Sequence, residues 1–416
     1  MDSITIPDTN GERAEKIGAS LWFFFVIALV SNILGGNIST LMAVYLPVVV
    51  RDLLDSGTGT NINDVSAYIN AIYLIGWTLG GFLWGMYSDR IGRLKSFLVS
   101  FLLYGLFTLS IGFVSDWEAV VILRFLAGFC VGGVLVLNNI YMTEAWPGKT
   151  RAIFIGFLSI GFPIGIFSAG MINYIFKGWR TGFMIGFIPV AIALISALVL
   201  WNAEGKYSRN NKSRENHKLK VVFKDNVRDL VKGSIIFGSM LIGMWAVFSW
   251  LPTWIQSLLH NSDGSKERGL GMMLMGIGGL TGGFVSGWVA RLFGLKRALI
   301  ICFAGCIVLA IIMFGFNRSF SNLIYIEIAV ITVFFGISQG LLGTYVPQLF
   351  SSPVRGTATG FCYNTGRVIT AAAVFFVGTM VTLFGGYSNT LLAFSVIFVI
   401  GLITIYFTKD IKLKTN

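Results

Sequence analysis

Long apolar runs separated by short polar loops fill almost the whole chain. About twelve of them hold roughly 18 or more mostly apolar residues, enough to cross a bilayer as helices. They fall at 20–46, 66–88, 96–115, 118–142, 152–176, 181–201, 233–258, 269–290, 298–316, 321–343, 356–384 and 389–408. Within each run the apolar positions are continuous rather than alternating, which predicts helices and argues against a closed β-barrel. One long polar stretch, 202–232, interrupts the pattern; it is basic and rich in Asn and Ser. The expected organisation is a 1–19 tail, a six-helix bundle over 20–201, the 202–232 connector, a second bundle over 233–408 and a 409–416 tail. Residues 218–232 suit either a short amphipathic helix on an anionic leaflet or a solvated linker.

The two bundles carry the same pattern. Tyr45-Leu46-Pro47 returns as Trp250-Leu251-Pro252 at an offset of 205. Gly81, Gly85 and Asp89 return as Gly283, Gly287 and Arg291 at 202, and Tyr141, Glu144 and Arg151 return as Tyr345, Gln348 and Arg355 at 204. Two like halves leave a cleft between them, the arrangement by which many carriers expose one site to alternate sides of a membrane.

Composition agrees. The chain is 55% hydrophobic and 12% charged, with a mean hydropathy of +0.78, too little polar surface for a soluble domain. The net charge of +12 invites a nucleic-acid reading, but its distribution opposes one. With the N-terminus inside, 23 of the 31 Lys and Arg fall on the cytoplasmic side, six on the other, and two inside spans. This bias places both termini in the cytoplasm. The four cysteines, Cys130, Cys302, Cys306 and Cys362, lie within predicted spans and read as small apolar residues. The N-terminus mixes acids with bases and runs straight into a long span, unlike a cleavable signal peptide.

The loop between spans two and three reads Gly85-Met-Tyr-Ser-Asp89-Arg90-Ile-Gly92-Arg93-Leu-Lys95. It resembles the G-x-x-x-D-R-x-G-R-[KR] loop of the major facilitator superfamily. An aspartate there can meet a helix N-terminus and nearby arginines, a charged latch expected to tie the halves together on the cytoplasmic side in one state. Arg124-Phe-Leu-Ala-Gly128 in span four resembles the superfamily's R-x-x-x-G. Tyr141-x-x-Glu144-x-x-Pro147-x-x-x-Arg151 resembles the cytoplasmic end of span four in its sugar and organic-anion porters. Asp89, Arg90, Arg93, Glu144, Arg151 and Arg355 are therefore expected at a cytoplasmic gate. The resemblance implies an all-α fold of twelve spans in two pseudo-symmetric six-helix bundles, with spans one, four, seven and ten lining a central cavity.

Three ionisable residues fall well inside predicted spans: Arg124, Glu327 and Arg367. Such groups are costly at membrane depth and are functional candidates by default. At an offset of 204, Glu327 lies almost at the symmetry mate of Arg124. Arg367 lies about 11 residues into its span, roughly 16 Å along the helix and near the bilayer midplane. A guanidinium there can hold a carboxylate with two parallel bonds. The alternatives are that Arg367 serves helix carbonyls or pairs with Glu327, and that Arg124 and Glu327 form a permanent ion pair. Asn37, Tyr363, Asn364, Trp245 and Gln339 add hydrogen-bonding and stacking groups at cavity depth.

Tyr345-Val-Pro-Gln-Leu-Phe-Ser-Ser-Pro-Val-Arg355, running on to Asn364-Thr-Gly-Arg367, resembles the sialate, monocarboxylate and aromatic-acid proton symporters of the superfamily. The resemblance implies import of a small organic anion with a proton by alternating access. The expected site is Arg367 and Arg124 on the carboxylate and Glu327 on the proton. The chain departs from that pattern in span one, which has no acid, and in span four, where Gly132-Gly133 is followed by Val134. Uniport or exchange without protons, drug or metabolite efflux by proton antiport, and a non-transporting receptor are the alternatives. Neither His217 nor His260 has neighbours spaced as a metal site or triad, so an enzyme is not expected. No cofactor is expected either, and the setting is the inner membrane of a bacterium, as a monomer in lipid.

Overall fold

The computed structural model describes residues 18–54, 61–201, 219–259, 263–351 and 354–410, with the side chains of 152 and 219–225 excepted. The 1–17 and 411–416 tails, the whole of 202–218 with His217, and His260 lie outside the described residues.

Among the described residues, twelve helices are long and apolar enough to cross a membrane. We label them α1 (Ala19–Leu53), α2 (Ile62–Ile91), α3 (Arg93–Ile111), α4 (Trp117–Ala145), α5 (Gly148–Ile175), α6 (Trp179–Leu200), α7 (Leu219–Leu258), α8 (Ser265–Phe293), α9 (Leu295–Phe316), α10 (Leu323–Gln348), α11 (Arg355–Met380) and α12 (Tyr387–Tyr406). In lipid every backbone polar group needs an internal partner, and a helix supplies one for each residue in its interior.

Some boundaries differ from expectation. The apolar run of α1 stops at Leu46, yet the helix continues through Pro47 to Leu53. Pro252 likewise sits inside α7. A proline removes one donor, but helix neighbours in a bundle can re-satisfy the freed carbonyl, so the helix need not end there. Residues 219–232 form neither a separate helix nor a loose linker: they are the first turns of α7. Local breaks interrupt three spans, a 3-10 turn at Met184–Gly186, a π turn at Ile311–Phe316 and a break at Ser395.

Packing repeats across the halves. In the first, α2 lies along α4 and α1 along α5; in the second, α8 lies along α10 and α7 along α11. The halves meet through α5 against α8 and α2 against α11, which the same symmetry interchanges. A finer repeat confirms the register: Arg151 donates from Nε and Nη2 to the Trp146 carbonyl (3.1 and 2.9 Å), and Arg355 donates from Nε to the Phe350 carbonyl (3.4 Å). All four cysteines are buried and unpaired.

Candidate functional site

The contacts between halves decide where a site can open. Five hydrogen bonds or ion pairs join described residues of the two halves toward one end. Asn70 donates to the Ser249 carbonyl at 3.3 Å, Ser265 Oγ to the Asn173 carbonyl at 3.1 Å, and the Tyr387 hydroxyl to Asn63 Oδ1 at 2.6 Å. Lys177 pairs with Asp263 at 3.2 Å, and Arg268 Nε donates to the Val44 carbonyl at 3.1 Å. Helices α5 and α8 touch there backbone to backbone: a Cβ on Gly170 would sit 2.5 Å from the Gly269 oxygen. Small residues allow that approach.

The same helices part toward the other end. Gly156 of α5 and Gly283 and Gly287 of α8 have no atom within 4 Å of a would-be Cβ, and neither do Gly356 and Gly360 of α11. The bundle is sealed at one end and open at the other.

Aromatic rings from both halves meet at mid-depth. Trp77 of α2 and Trp245 of α7 stand edge to face at 5.1 Å, and Phe162 of α5 lies 5.8 Å from Trp77 and 6.4 Å from Trp245. On the open side of these rings, Tyr363 stacks on Phe237 at 4.2 Å and donates to the Leu342 carbonyl at 3.3 Å. Arg367 follows Tyr363 by one turn of α11. It is half-buried and has no hydrogen-bond or ion partner among the described residues. Gln339 precedes Leu342 by about one turn and leaves its buried Nε2 without an acceptor. The structure thus brings Arg367, Tyr363, Gln339 and Trp245 onto neighbouring faces of α7, α10 and α11. Asn364 instead lies on an exposed stripe with Phe361, Val368 and Phe376.

Arg124 is differently placed. It is buried, its guanidinium lies 3.7 Å over the Tyr73 ring, and Nη1 donates to the Ile38 carbonyl at 3.1 Å. Tyr73 in turn bonds Ser39 at 2.6 Å, and Asn37 donates to Ser168 at 2.8 Å while its Oδ1 has no partner. These groups tie α1, α2, α4 and α5 into one wall. Glu327 sits in the first turns of α10 and accepts from Asn317 Nδ2 at 2.7 Å. The Arg124–Glu327 ion pair weighed from the sequence does not form. Nearness to a symmetry position does not imply contact, because each residue finds its partners within its own half.

At the open end, Arg93 Nη2 meets Asp89 at 2.7 Å and Glu144 at 3.2 Å, and Nη1 donates to Ser88 Oγ at 2.5 Å. This latch ties α2, α3 and α4 of one half together rather than joining the halves, which are apart here. Arg90 beside it is exposed. The second half closes the matching corner with lysines on the carbonyls after α12: Lys232 donates to Phe407 and Lys296 to Thr408, while Lys409 pairs with Asp229. Sequence reasoning missed Arg268. Its position four residues into α8 read as outer loop, yet it is 1% exposed. The glycines flanking it in a predicted span were the available signal.

Comparison with known proteins bears on this architecture. The Major Facilitator Superfamily profile matches residues 21–374. The chain belongs to the major facilitator superfamily. It is therefore a multi-pass integral membrane protein of a transporter family. It is 26% identical to the cis,cis-muconate transport protein of Acinetobacter baylyi, over 97% of this chain and 98% of that one. It is 26% identical to a sialic acid transporter of Escherichia coli over 73% of this chain and 75% of that one. Among superfamily structures, the inward-open xylose transporter XylE of E. coli aligns with a TM-score of 0.75 at 18% identity, over 95% of this chain and 98% of that one. That likeness speaks for the fold.

Proposed function

We propose that this protein carries a small organic anion across the membrane by alternating access, and that Arg367 holds the anion's carboxylate. The observation that carries the reading is Arg367 itself: an unpartnered guanidinium halfway along a spanning helix, beside Tyr363 and on the open side of the Trp77–Trp245 rings. A permanent charge at that depth without a protein partner is costly unless a ligand or water completes it. Aromatic walls and one arginine suit a flat carboxylate. Muconate, benzoate and sialic acid, named for relatives, all carry a carboxylate. Gln339, whose buried Nε2 has no acceptor, supplies a polar group for the rest of the solute, and Arg124 and Asn37 support the wall.

The positive-inside bias sets the open end, with Arg90, Arg93, Lys149, Arg151 and Arg355, in the cytoplasm of a bacterial cell. The structure is then the inward-facing state, both termini are cytoplasmic, and Arg151, Arg355 and the Arg93 cluster border the gate. Import with a proton through Glu327 is the reading we favour. Uniport or exchange is the second, supported by the position of Glu327 near the sealed end, where Asn317 holds it.

Uptake into proteoliposomes, with and without an imposed pH gradient, tests both. Cis,cis-muconate, benzoate, gentisate and sialic acid form the panel. At least one should accumulate against its gradient, and Glu327→Gln should abolish that accumulation. Uptake of none of them rejects the anion reading; accumulation indifferent to pH rejects proton coupling.

A further inference from the structure

We propose a second anion site in the outer vestibule, apart from Arg367, where a small carboxylate docks against Arg268 and Arg51 while the seam between the halves is still shut. A cleft of about 360 Å³ lies at the sealed end between the halves, within the range of roughly 300–1,000 Å³ that accommodates small ligands. It is lined by Val48, Arg51 and Asp52 of α1, Gln256 of α7, Asp263 and Arg268.

Its charges do not cancel within the lining. The Asp52 carboxylate is held by Arg180 and by Trp179 Nε1 at 3.0 Å, and the Asp263 carboxylate by Lys177 at 3.2 Å. Both acids are thus neutralised by cations outside the lining. Arg51 and Arg268 have no carboxylate partner among the described residues. Among the described lining residues, both carboxylates are thus engaged elsewhere while the two guanidiniums are not paired with an acid.

Arg268 supplies the specific contact. Its side chain is 1% exposed, Nε is bound to the Val44 carbonyl, and Nη1 is bound to Gln256 and to the Asp263 carbonyl. Nη2 has no acceptor at all. A buried donor left unmade is unfavourable, and a carboxylate oxygen arriving from the cleft would complete it. Arg51, exposed at the mouth, would draw the anion in. Because the same guanidinium holds Val44 across the halves, an anion bound here touches the bond that keeps this end shut.

The test needs no transport. The four native cysteines are buried, so Val48→Cys places one reactive thiol in the cleft. Methanethiosulfonate reagents bearing a sulfonate or a trimethylammonium group are compared in the purified protein, with benzoate as competitor. The sulfonate reagent should react faster, on the order of tenfold. Arg51→Gln should shrink that ratio, and benzoate should slow labelling. Arg268→Lys, which keeps the charge but loses the fork, should lose the protection. Protection must persist in Arg367→Gln; protection lost there belongs to the central cavity and overturns the proposal. Equal rates for the two reagents, or no protection by benzoate, overturn it as well. Failed uptake of every carboxylate would reject the transport reading and leave this measurement readable.

Discussion

Replacing Gly170 by alanine puts the sealed seam under a defined load. The new Cβ would lie 2.5 Å from the Gly269 oxygen and 2.7 Å from the Met273 nitrogen. Both are backbone atoms of α8, so no side chain can swing aside. Ordinary contact begins near 3.4 Å, and α5 and α8 must part by about 1 Å to reach it. Overpacking of this kind costs about 1–3 kcal/mol. The load falls on the state shut at this end and vanishes when the helices separate there. The balance between states should therefore move roughly 5- to 150-fold toward opening of the sealed end. Spin labels at Asp116→Cys and Ser319→Cys, both exposed near that end in opposite halves, report the change by pulsed electron resonance. A longer-distance population should grow in Gly170→Ala and grow further in Gly170→Leu. Gly148→Ala on the same helix, with nothing within 4 Å, should leave the distribution unchanged. An unaltered distance distribution in Gly170→Leu would refute the idea that this contact is confined to one state.

Three further outcomes follow from the geometry. Arg367→Lys keeps the charge but loses the planar fork, and the loss of one charge-assisted bond, about 1.5–3 kcal/mol, should raise the KM for uptake by roughly 10- to 150-fold; an unchanged KM would exclude bidentate binding. Arg124→Lys should lower the melting temperature more than it changes KM, because the Tyr73 face and the Ile38 carbonyl are its partners; a KM defect with normal melting would place Arg124 on the substrate instead. Glu144→Gln should cost no more than about 1 kcal/mol in denaturant unfolding, since its bond to Arg93 is partly exposed and screened; a loss of several kcal/mol would mean the corner is buried in solution.

The apolar periodicity and the internal offset made the fold legible. Twelve spans and two halves follow from them, and Arg151 and Arg355 even make the same bond five residues back. Legibility fails where neighbours outside the local segment decide. Pro47 reads as a stop from its own chemistry, but α1 continues to Leu53, with Val49 and Val50 fully buried beyond the proline. Arg124 and Glu327 align along the chain and still do not meet, since Tyr73 and Asn317 take them. Arg367 was readable because an isolated charge in a long apolar run has few explanations. Arg268 was not, because a charge near a predicted helix end looks like a loop residue until the opposite half covers it.

The glycines without neighbours at the open end have a consequence for how this sequence tolerates change. Gly156 on α5 faces the same kind of partner helix as Gly170, and Gly283 and Gly287 sit on α8 beyond Gly269. A side chain added at Gly283 meets nothing in this arrangement, so an assay that holds the protein here would score the substitution as harmless. In the opposite state that the proposed alternating access requires, these positions would close on one another, and there the same side chain would obstruct closure. Each position is thus constrained by whichever state crowds it most. Tolerance measured in one conformation maps only the positions which that conformation crowds.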